Sequence, residues 1–236
     1  LQNSKWMISA QIWEFKVMCK IVEKYNFEKE INFEELTKTL LKKNLSETIN
    51  LEKQFVYDLG YTIADADGNV VARKSYVISQ VFNNKELFAT GYYSNKMPLY
   101  LERLASGYSK KVGWGHAMRY LANDIKKYGI TEIYAYNSKF DTKAIAFMCS
   151  WFNVVNPLGD KEILDIMDFI KPITNTKEYK DFCKANGYMT KHKYPQPQKK
   201  AETLCRFLRN DTDFIEEHTG LEDSLIELEI LMTALA

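Results

Sequence analysis

The chain has 236 residues, of which 46% are hydrophobic, which is enough for one substantial core and excludes a disordered protein. Its 32 basic and 31 acidic residues nearly balance, so any nucleic-acid binding must depend on a local patch. The four cysteines are widely spaced and form no C-x-x-C pair, which argues against a cysteine zinc site or a disulfide framework and favours a reducing, cytoplasmic setting. No apolar run approaches the roughly 20 residues of a membrane span, so we expect no membrane partner.

Residues 1–43 predict a helical extension that precedes the main domain. Hydrophobic residues between Trp6 and Val22 recur at helical spacing, and the segment NFEELTKTLLKKN has acids near its start and lysines near its end. Two roles are open for this extension. It can pack on the main body, or it can bind a protein partner or DNA.

The next segment predicts a β-hairpin. The stretches QFVYDLGYTI and NVVARKSYVISQVF are rich in valine, isoleucine and aromatic residues, and ADADG separates them. The pair Asp67-Gly68 in that connection is a strong signal for a hairpin turn. Two antiparallel strands are therefore expected.

Helices and strands alternate after the hairpin. A helix is predicted in GHAMRYLANDIKKYG, with Gly129 as its end, and the final helix begins near Gly220 with Leu221, Leu225 and Leu228 on its core face. This order indicates a mixed sheet with helices on both faces. The remaining predictions are a strand in TEIYAYN, a helix in SKFDTKAIAFMCSWF, a strand or a strand running into a helix in EILDIMDFI, and short helices in NTKEYKDFCKANG and KKAETLCRFL.

Three carboxylates lie where an α/β sheet would present ligands. Glu47 precedes the hairpin, Asp141 follows a predicted strand, and Asp223 lies in the first turn of the last helix, five residues after His218. Each has a structural explanation, because an acid in the first turn of a helix stabilises the helix dipole by about 0.3–1 kcal/mol without any catalytic role. A lone histidine before a helix is likewise more often structural than catalytic.

In combination, these residues resemble a known family. N-x-x-F-D after a strand, followed by H-x-x-x-x-D at the start of the last helix, resembles the DEDDh exonucleases of the ribonuclease H-like superfamily. The resemblance covers about residues 47–235. Similarity to the small exonucleases encoded by phages of Gram-positive bacteria extends in order through VYDLGYTIADADGNVVARKSYVISQVF, YYSNKMPLY, YNSKFD, FCKANGYMTK, AETLCRFL and DFIEEHTGLEDSLIE.

The resemblance implies a fold and an activity. The fold is a ribonuclease H-like α/β domain over residues 44–236, with a mixed five-stranded sheet and flanking helices. The activity is 3′–5′ exonuclease action on single-stranded or frayed DNA, or RNA, with two Mg²⁺ or Mn²⁺ ions. By similarity, Glu47, Asp141 and Asp223 hold the metals, and His218 is the general base.

The spacing of His218 and Asp223 constrains the local structure. Five residues turn a helix by about 500°, so both side chains can reach one site only if the histidine lies outside the helix. Gly220 provides a break between them.

The resemblance also suggests residues for nucleic-acid contact. Asn137 and Phe140 flank the second motif, and Lys191, Lys193 and Tyr194 belong to the loop KHKYPQPQKK. Lysines can bind the phosphate backbone, and a tyrosine can stack on a base. The alternative for this loop is a solvated connection without contact to nucleic acid.

The first motif departs from the family pattern. D-x-E maps onto Leu45 and Glu47, and leucine cannot bind a metal. Asp58 is a weak replacement, because it corresponds to the second strand of the family's sheet. Natural loss of activity, a remodelled segment, or a different register can each explain the departure. The alternative function is therefore an exonuclease-derived module that has lost catalysis and binds nucleic acid or protein.

Overall fold

The computed structural model describes residues 55–85, 88, 94–159 and 161–236. It is a mixed α/β structure. The predicted helical extension over residues 1–43 lies outside the described part of the chain, as do Leu45 and Glu47.

The predicted hairpin is confirmed. Strand β1 (Asp58–Ala64) pairs antiparallel with strand β2 (Val70–Ile78). In the turn between them, the Asp65 carboxylate accepts hydrogen bonds from the backbone N–H groups of Asp67 and Asn69, at 3.0 and 2.8 Å. Gly68 has φ +83°, a backbone conformation that glycine adopts readily because it has no Cβ atom. The turn predicted from the Asp-Gly pair is therefore confirmed.

The prediction of one five-stranded sheet is wrong for the described residues. They form a three-stranded sheet in the order β1-β2-β3 and a separate two-stranded sheet of β4 and β5. Strands β3 (Lys110–Val112), β4 (Ile133–Ala135) and β5 (Ile163–Asp165) have only three residues each, and both the β2–β3 and β4–β5 pairs are parallel. The hydrophobic pattern predicts that strands exist, whereas pairing depends on which strand edges meet in the fold, which the pattern does not contain.

The predicted helices and their ends are largely confirmed. EILDIMDFI forms strand β5 and then runs into a helix. Gly129 ends the long helix after β3 with φ +62°. In chain order, the helices are α1 (Ser79–Phe82), a 3₁₀ turn (Ser94–Lys96), α2 (Met97–Ala105), α3 (Trp114–Tyr128), α4 (Ser138–Trp151), α5 (Ile166–Phe169), α6 (Lys171–Thr174), α7 (Lys177–Ala185), α8 (Ala201–Arg209) and α9 (Gly220–Leu235).

Strand β1 lies between two hydrophobic clusters and is buried at all seven residues. Leu59, Tyr61 and Ile63 belong to the first cluster, together with buried residues of α3 and α4. Ala64 belongs to the second cluster, which includes buried residues of α5, α7, α8 and α9. Because side chains alternate along a strand, the face of β1 that carries Asp58 is the one that packs against α9.

Helix α9 is buried around most of its circumference. Leu221 and Leu228 are buried as predicted, whereas Leu225 is only partly buried. Asp223, Ser224 and Glu227 are buried in the same helix. The Thr62 and Ser224 hydroxyls lie 2.6 Å apart and join β1 to this polar side of α9. Helix α9 therefore brings carboxylates into the interior, where charged groups are costly.

No helix in the described part of the chain is long and apolar enough to cross a membrane. Three cysteines fall within that part. Cys149, Cys183 and Cys205 are buried, free thiols.

Candidate metal centre

The segment before α9 places His218 outside the helix. Helix α9 begins at Gly220, and His218 has a left-handed backbone conformation with φ +52°. A side-chain-bearing residue in this region is strained by about 1 kcal/mol or more and is retained only when its surroundings hold it there. The chain thus turns between His218 and Asp223, as the spacing of the two residues requires.

Contacts from β1 and α2 hold this segment in place. The Asp58 carboxylate accepts hydrogen bonds from the Gly220 backbone N–H and the Tyr100 hydroxyl, both at 2.8 Å. Arg103 donates to the Thr219 hydroxyl at 2.8 Å. Asp58 therefore caps the first turn of α9 from another element, which fixes the direction in which the helix leaves the loop.

Asp223 is a fully buried carboxylate, with 0% of its surface exposed. Among the described residues, no N–H or hydroxyl donates to either of its oxygens, and its carboxyl shares a hydrogen bond with that of Glu216. Burial raises the pKa of Asp223 well above its ordinary value, and the nearby carboxylates of Glu216, Glu227 and Asp58 raise it further. Asp223 is thus surrounded by acids, and a shared proton or a cation would relieve their repulsion.

Asp141 lies in the first turn of α4 and has the same character. It is 2% exposed, and its Oδ1 has no hydrogen-bond partner among the described residues. Burial raises the pKa of Asp141 well above its ordinary value, followed by the charges of Glu227 and Asp165. The charge of Glu227 thus raises the pKa of both Asp141 and Asp223, so the two predicted metal ligands have one buried carboxylate neighbour in common.

Glu216 is a neighbour of both Asp223 and His218. One Glu216 carboxylate oxygen lies 3.3 Å from His218 Nδ1. Burial raises the pKa of Glu216, whereas the pKa of His218 is lowered, first by burial and then by the positive charge of Lys96. A lowered pKa keeps the imidazole neutral near pH 7, the form that can accept a proton or bind a metal. The Lys96 ammonium contacts the carbonyl oxygens of Glu217 and His218 and so holds this loop.

This arrangement of buried acids is suited to a hard divalent cation. Removing a carboxylate from water costs several kcal/mol unless the charge is neutralised, and protons or cations are the available means. Mg²⁺ and Mn²⁺ prefer oxygen ligands, and carboxylates supply them. Asp141 and Asp223 fit this requirement, because both are buried and the charge of Glu227 raises the pKa of each.

The residues predicted to bind nucleic acid are placed differently from one another. Asn137 is exposed, and its backbone N–H donates to Asp165 at 3.0 Å. Phe140 is partly buried against the first hydrophobic cluster, which leaves less of its ring for a base. Lys191, Lys193 and Tyr194 are exposed, and the Lys193 ammonium lies 5.5 Å from the centre of the Tyr194 ring.

The sequence prediction missed two carboxylates of this region, Glu227 and Glu216, and set aside a third, Asp58. Glu227 lies four residues after Asp223, so both side chains share one face of α9, and that spacing could have identified it. Asp58 and Glu216 have no comparable signal, because only the fold brings β1 and the loop before α9 together. Glu47, the third predicted metal ligand, lies outside the described residues.

Comparison of the chain with protein-family models, curated proteins and solved structures found no match.

Proposed function

We propose that the protein is a metal-dependent phosphodiesterase that removes nucleotides from the 3′ end of DNA. The burial of Asp223 and Asp141, with carboxylate oxygens that no N–H or hydroxyl of the described residues reaches, carries this proposal. Burial of such acids lowers the stability of the folded protein. Carboxylates with strongly raised pKa values are characteristic of functional sites. The H-x-x-x-x-D and N-x-x-F-D motifs direct the choice of reaction.

Different residues of the protein would bind the metal ions, accept the proton and position the site. Asp141, Asp223 and Glu47 would hold Mg²⁺ or Mn²⁺. When bound, two such ions supply Lewis acidity for the attacking water and for the leaving 3′ oxygen. His218 would accept the proton of the attacking water, since its lowered pKa keeps the ring neutral. Asp58 and Arg103 would act as positioning residues, because they hold the adjacent residues Gly220 and Thr219 within the turn.

A ribonuclease H-like fold belongs to the same proposal. The order of hairpin, helix α3, unit β4-α4-β5 and final helix α9 supports it. The described strands depart from that fold in forming a three-stranded and a two-stranded sheet rather than one sheet.

Hydrolysis of DNA tests the proposal. A single-stranded oligonucleotide labelled at its 5′ end is incubated with the protein and Mg²⁺ or Mn²⁺, and we expect shortening from the 3′ end with release of nucleoside monophosphates. Asp223→Asn should reduce the rate at least about 100-fold, because a neutral amide replaces a metal-binding carboxylate. Asp181→Asn is the matched control on the exposed side of α7 and should leave the rate unchanged. Cleavage that Asp223→Asn does not alter would contradict the proposal.

One residue of the sequence, Leu45, favours a second candidate function. Leu45 occupies the place of the metal-bridging aspartate, and this residue lies outside the described part of the chain. In that candidate, the protein is an exonuclease-derived module that binds nucleic acid or a protein without cleaving. Leu45→Asp separates the two: it should raise Mn²⁺-dependent hydrolysis at least tenfold, about 1.4 kcal/mol of barrier, if the missing carboxylate limits activity. A parent protein that neither cleaves nor binds metal, with no gain from Leu45→Asp, supports the binding module.

A further inference from the structure

Three side chains offer a different set of ligand atoms, and one of them is Glu216, the neighbour of Asp223. Glu202 in α8 and Glu216 and His218 in the loop before α9 each provide one donor atom, and these atoms all lie within 4.8 Å of one another. We propose that they form a second metal site, of the Zn²⁺ class, which adjoins Asp223 through Glu216 but uses neither Asp141 nor Asp223 as a ligand. We further infer that its occupation removes His218 from the hydrolytic reaction.

Glu216 supplies an observation independent of the clustering. Glu216 is only 6% exposed, its carboxyl shares a hydrogen bond with Asp223, and no N–H or hydroxyl of the described residues donates to its Oε1. A buried carboxylate destabilises the fold unless its charge is neutralised, and a metal ion is one means of neutralising it. Glu216 therefore differs from an ordinary surface acid whose oxygens are hydrated.

The spacing of the ligands suits a small tetrahedral ion. Two ligand atoms at about 2.0–2.1 Å from Zn²⁺ lie about 3.3–3.4 Å apart when the angle between them is tetrahedral. The observed distance between His218 Nδ1 and a Glu216 oxygen is 3.3 Å. The imidazole nitrogen distinguishes this site from one for Mg²⁺, which prefers oxygen ligands.

The surroundings of Glu202 would orient it for this role. Arg206, one turn later in α8, donates a 2.8 Å hydrogen bond to Glu202 Oε1. The Glu216 backbone N–H approaches the same oxygen at 3.4 Å. A carboxylate has two oxygens, so these contacts leave the second one for a metal. Partners of this kind fix the direction of a ligand and are typical of metal sites. The ion would join α8 to the segment before α9.

The consequence for hydrolysis depends on the proposed function. A metal on His218 Nδ1 leaves the ring proton on Nε2, so the imidazole has no lone pair with which to accept the proton of a water molecule. Zn²⁺ would then inhibit hydrolysis that Mg²⁺ supports. Inhibition of this type would couple the activity to the concentration of a transition metal.

Calorimetric titration with Zn²⁺ tests the binding site. The wild-type protein should bind Zn²⁺, Glu202→Gln should weaken that binding at least tenfold, and Asp141→Asn should leave it unchanged. An imidazole ¹⁵N–¹H spectrum provides a second readout in the wild-type protein, because the signal assigned through His218→Gln should shift on addition of Zn²⁺. Unchanged Zn²⁺ affinity in Glu202→Gln, or an unshifted His218 signal, would overturn the proposal.

Activity measurements separate this inference from the proposed function. With Mg²⁺ present, Glu202→Gln should hydrolyse DNA within about twofold of the wild-type rate but require at least tenfold more Zn²⁺ for inhibition. If Zn²⁺ binds as described while no preparation cleaves DNA, the proposed function fails and the metal site stands. If DNA is cleaved and Zn²⁺ does not bind at His218, the metal site fails and the proposed function stands.

Discussion

Gly60 of β1 and Gly220 of α9 are in direct backbone contact. A Cβ atom on Gly60 would lie 2.0 Å from the Gly220 carbonyl carbon, and one on Gly220 would lie 2.5 Å from the Gly60 nitrogen. Neither glycine can be replaced without movement of the backbone, because real side-chain atoms do not approach so closely. This contact places the first turn of α9, and with it Asp223, against β1.

Gly60→Ala should therefore separate α9 from β1. We expect a loss of stability of at least about 1–3 kcal/mol, as for other overpacked interiors, together with loss of metal binding at Asp223. Urea unfolding and Mn²⁺ titration measure the two effects. Gly115→Ala in α3 is the control: its Cβ would make an ordinary 3.5 Å contact with Val154, and alanine favours a helix. Equal stability of the two variants would show that the contact is not a constraint.

Asp58 should matter as a hydrogen-bond acceptor. Asp58→Ala leaves the Gly220 N–H and the Tyr100 hydroxyl without their acceptor, which costs about 1–3 kcal/mol for each buried donor left unsatisfied. Asp58→Asn retains an acceptor oxygen and removes a buried charge, so its stability should stay closer to that of the wild-type protein. Urea unfolding at pH 7.5 compares the variants. An alanine variant as stable as the asparagine variant would contradict the capping role.

The sequence predicted local structure better than it predicted pairing. The Asp67-Gly68 turn, the end of α3 at Gly129 and the start of α9 near Gly220 follow from backbone preferences of neighbouring residues. The division of the strands into two sheets does not, because strand pairing is a long-range property.

The same distinction applies to the site. Asp141 and Asp223 were predicted from motifs, and the structure buries both, with the charge of Glu227 raising the pKa of each. The position of Asp58 against Gly220 joins residues that are 162 positions apart in the chain. No local pattern contains such a contact, and a sequence reading that treats strands individually undervalues Asp58.

The metal-free protein should lose stability as the pH rises. The pKa values of Asp58, Asp141, Glu216 and Asp223 are all raised in the folded state, so that state binds more protons than the unfolded chain. Their contribution is fully present below the ordinary carboxyl values of 3.8 for Asp and 4.5 for Glu, and it is lost as the pH rises through the raised values.

Urea unfolding with a chelator at several pH values from 4 upward measures this dependence. The slope of stability against pH should be smaller for Asp223→Asn, which removes one of the titrating groups, and Asp181→Asn should retain the wild-type slope. Surface carboxylates contribute equally to both variants, so the difference between them isolates Asp223. A steeper slope in Asp223→Asn would contradict the raised pKa.

His218→Ala should distinguish a catalytic base from a structural residue. Loss of a general base lowers turnover by roughly 10²- to 10⁴-fold. Mg²⁺ affinity should remain unchanged, since the proposed ligands for that ion are carboxylates. Stability should also change little, because the imidazole is only partly buried. A variant that unfolds, or that cleaves DNA at the wild-type rate, would assign His218 a structural role.

Titration of the protein with Mn²⁺ at neutral pH, followed by calorimetry, tests the central claim most directly. If Asp141 and Asp223 form a metal centre, the wild-type protein should bind Mn²⁺ and gain thermal stability, since a ligand that binds only the folded state stabilises it. Asp223→Asn and Asp141→Asn should each weaken the binding at least tenfold, and Asp181→Asn should not. Absence of Mn²⁺ binding in the wild-type protein, or equal affinity in all four proteins, would contradict the assignment of these buried carboxylates to a metal centre.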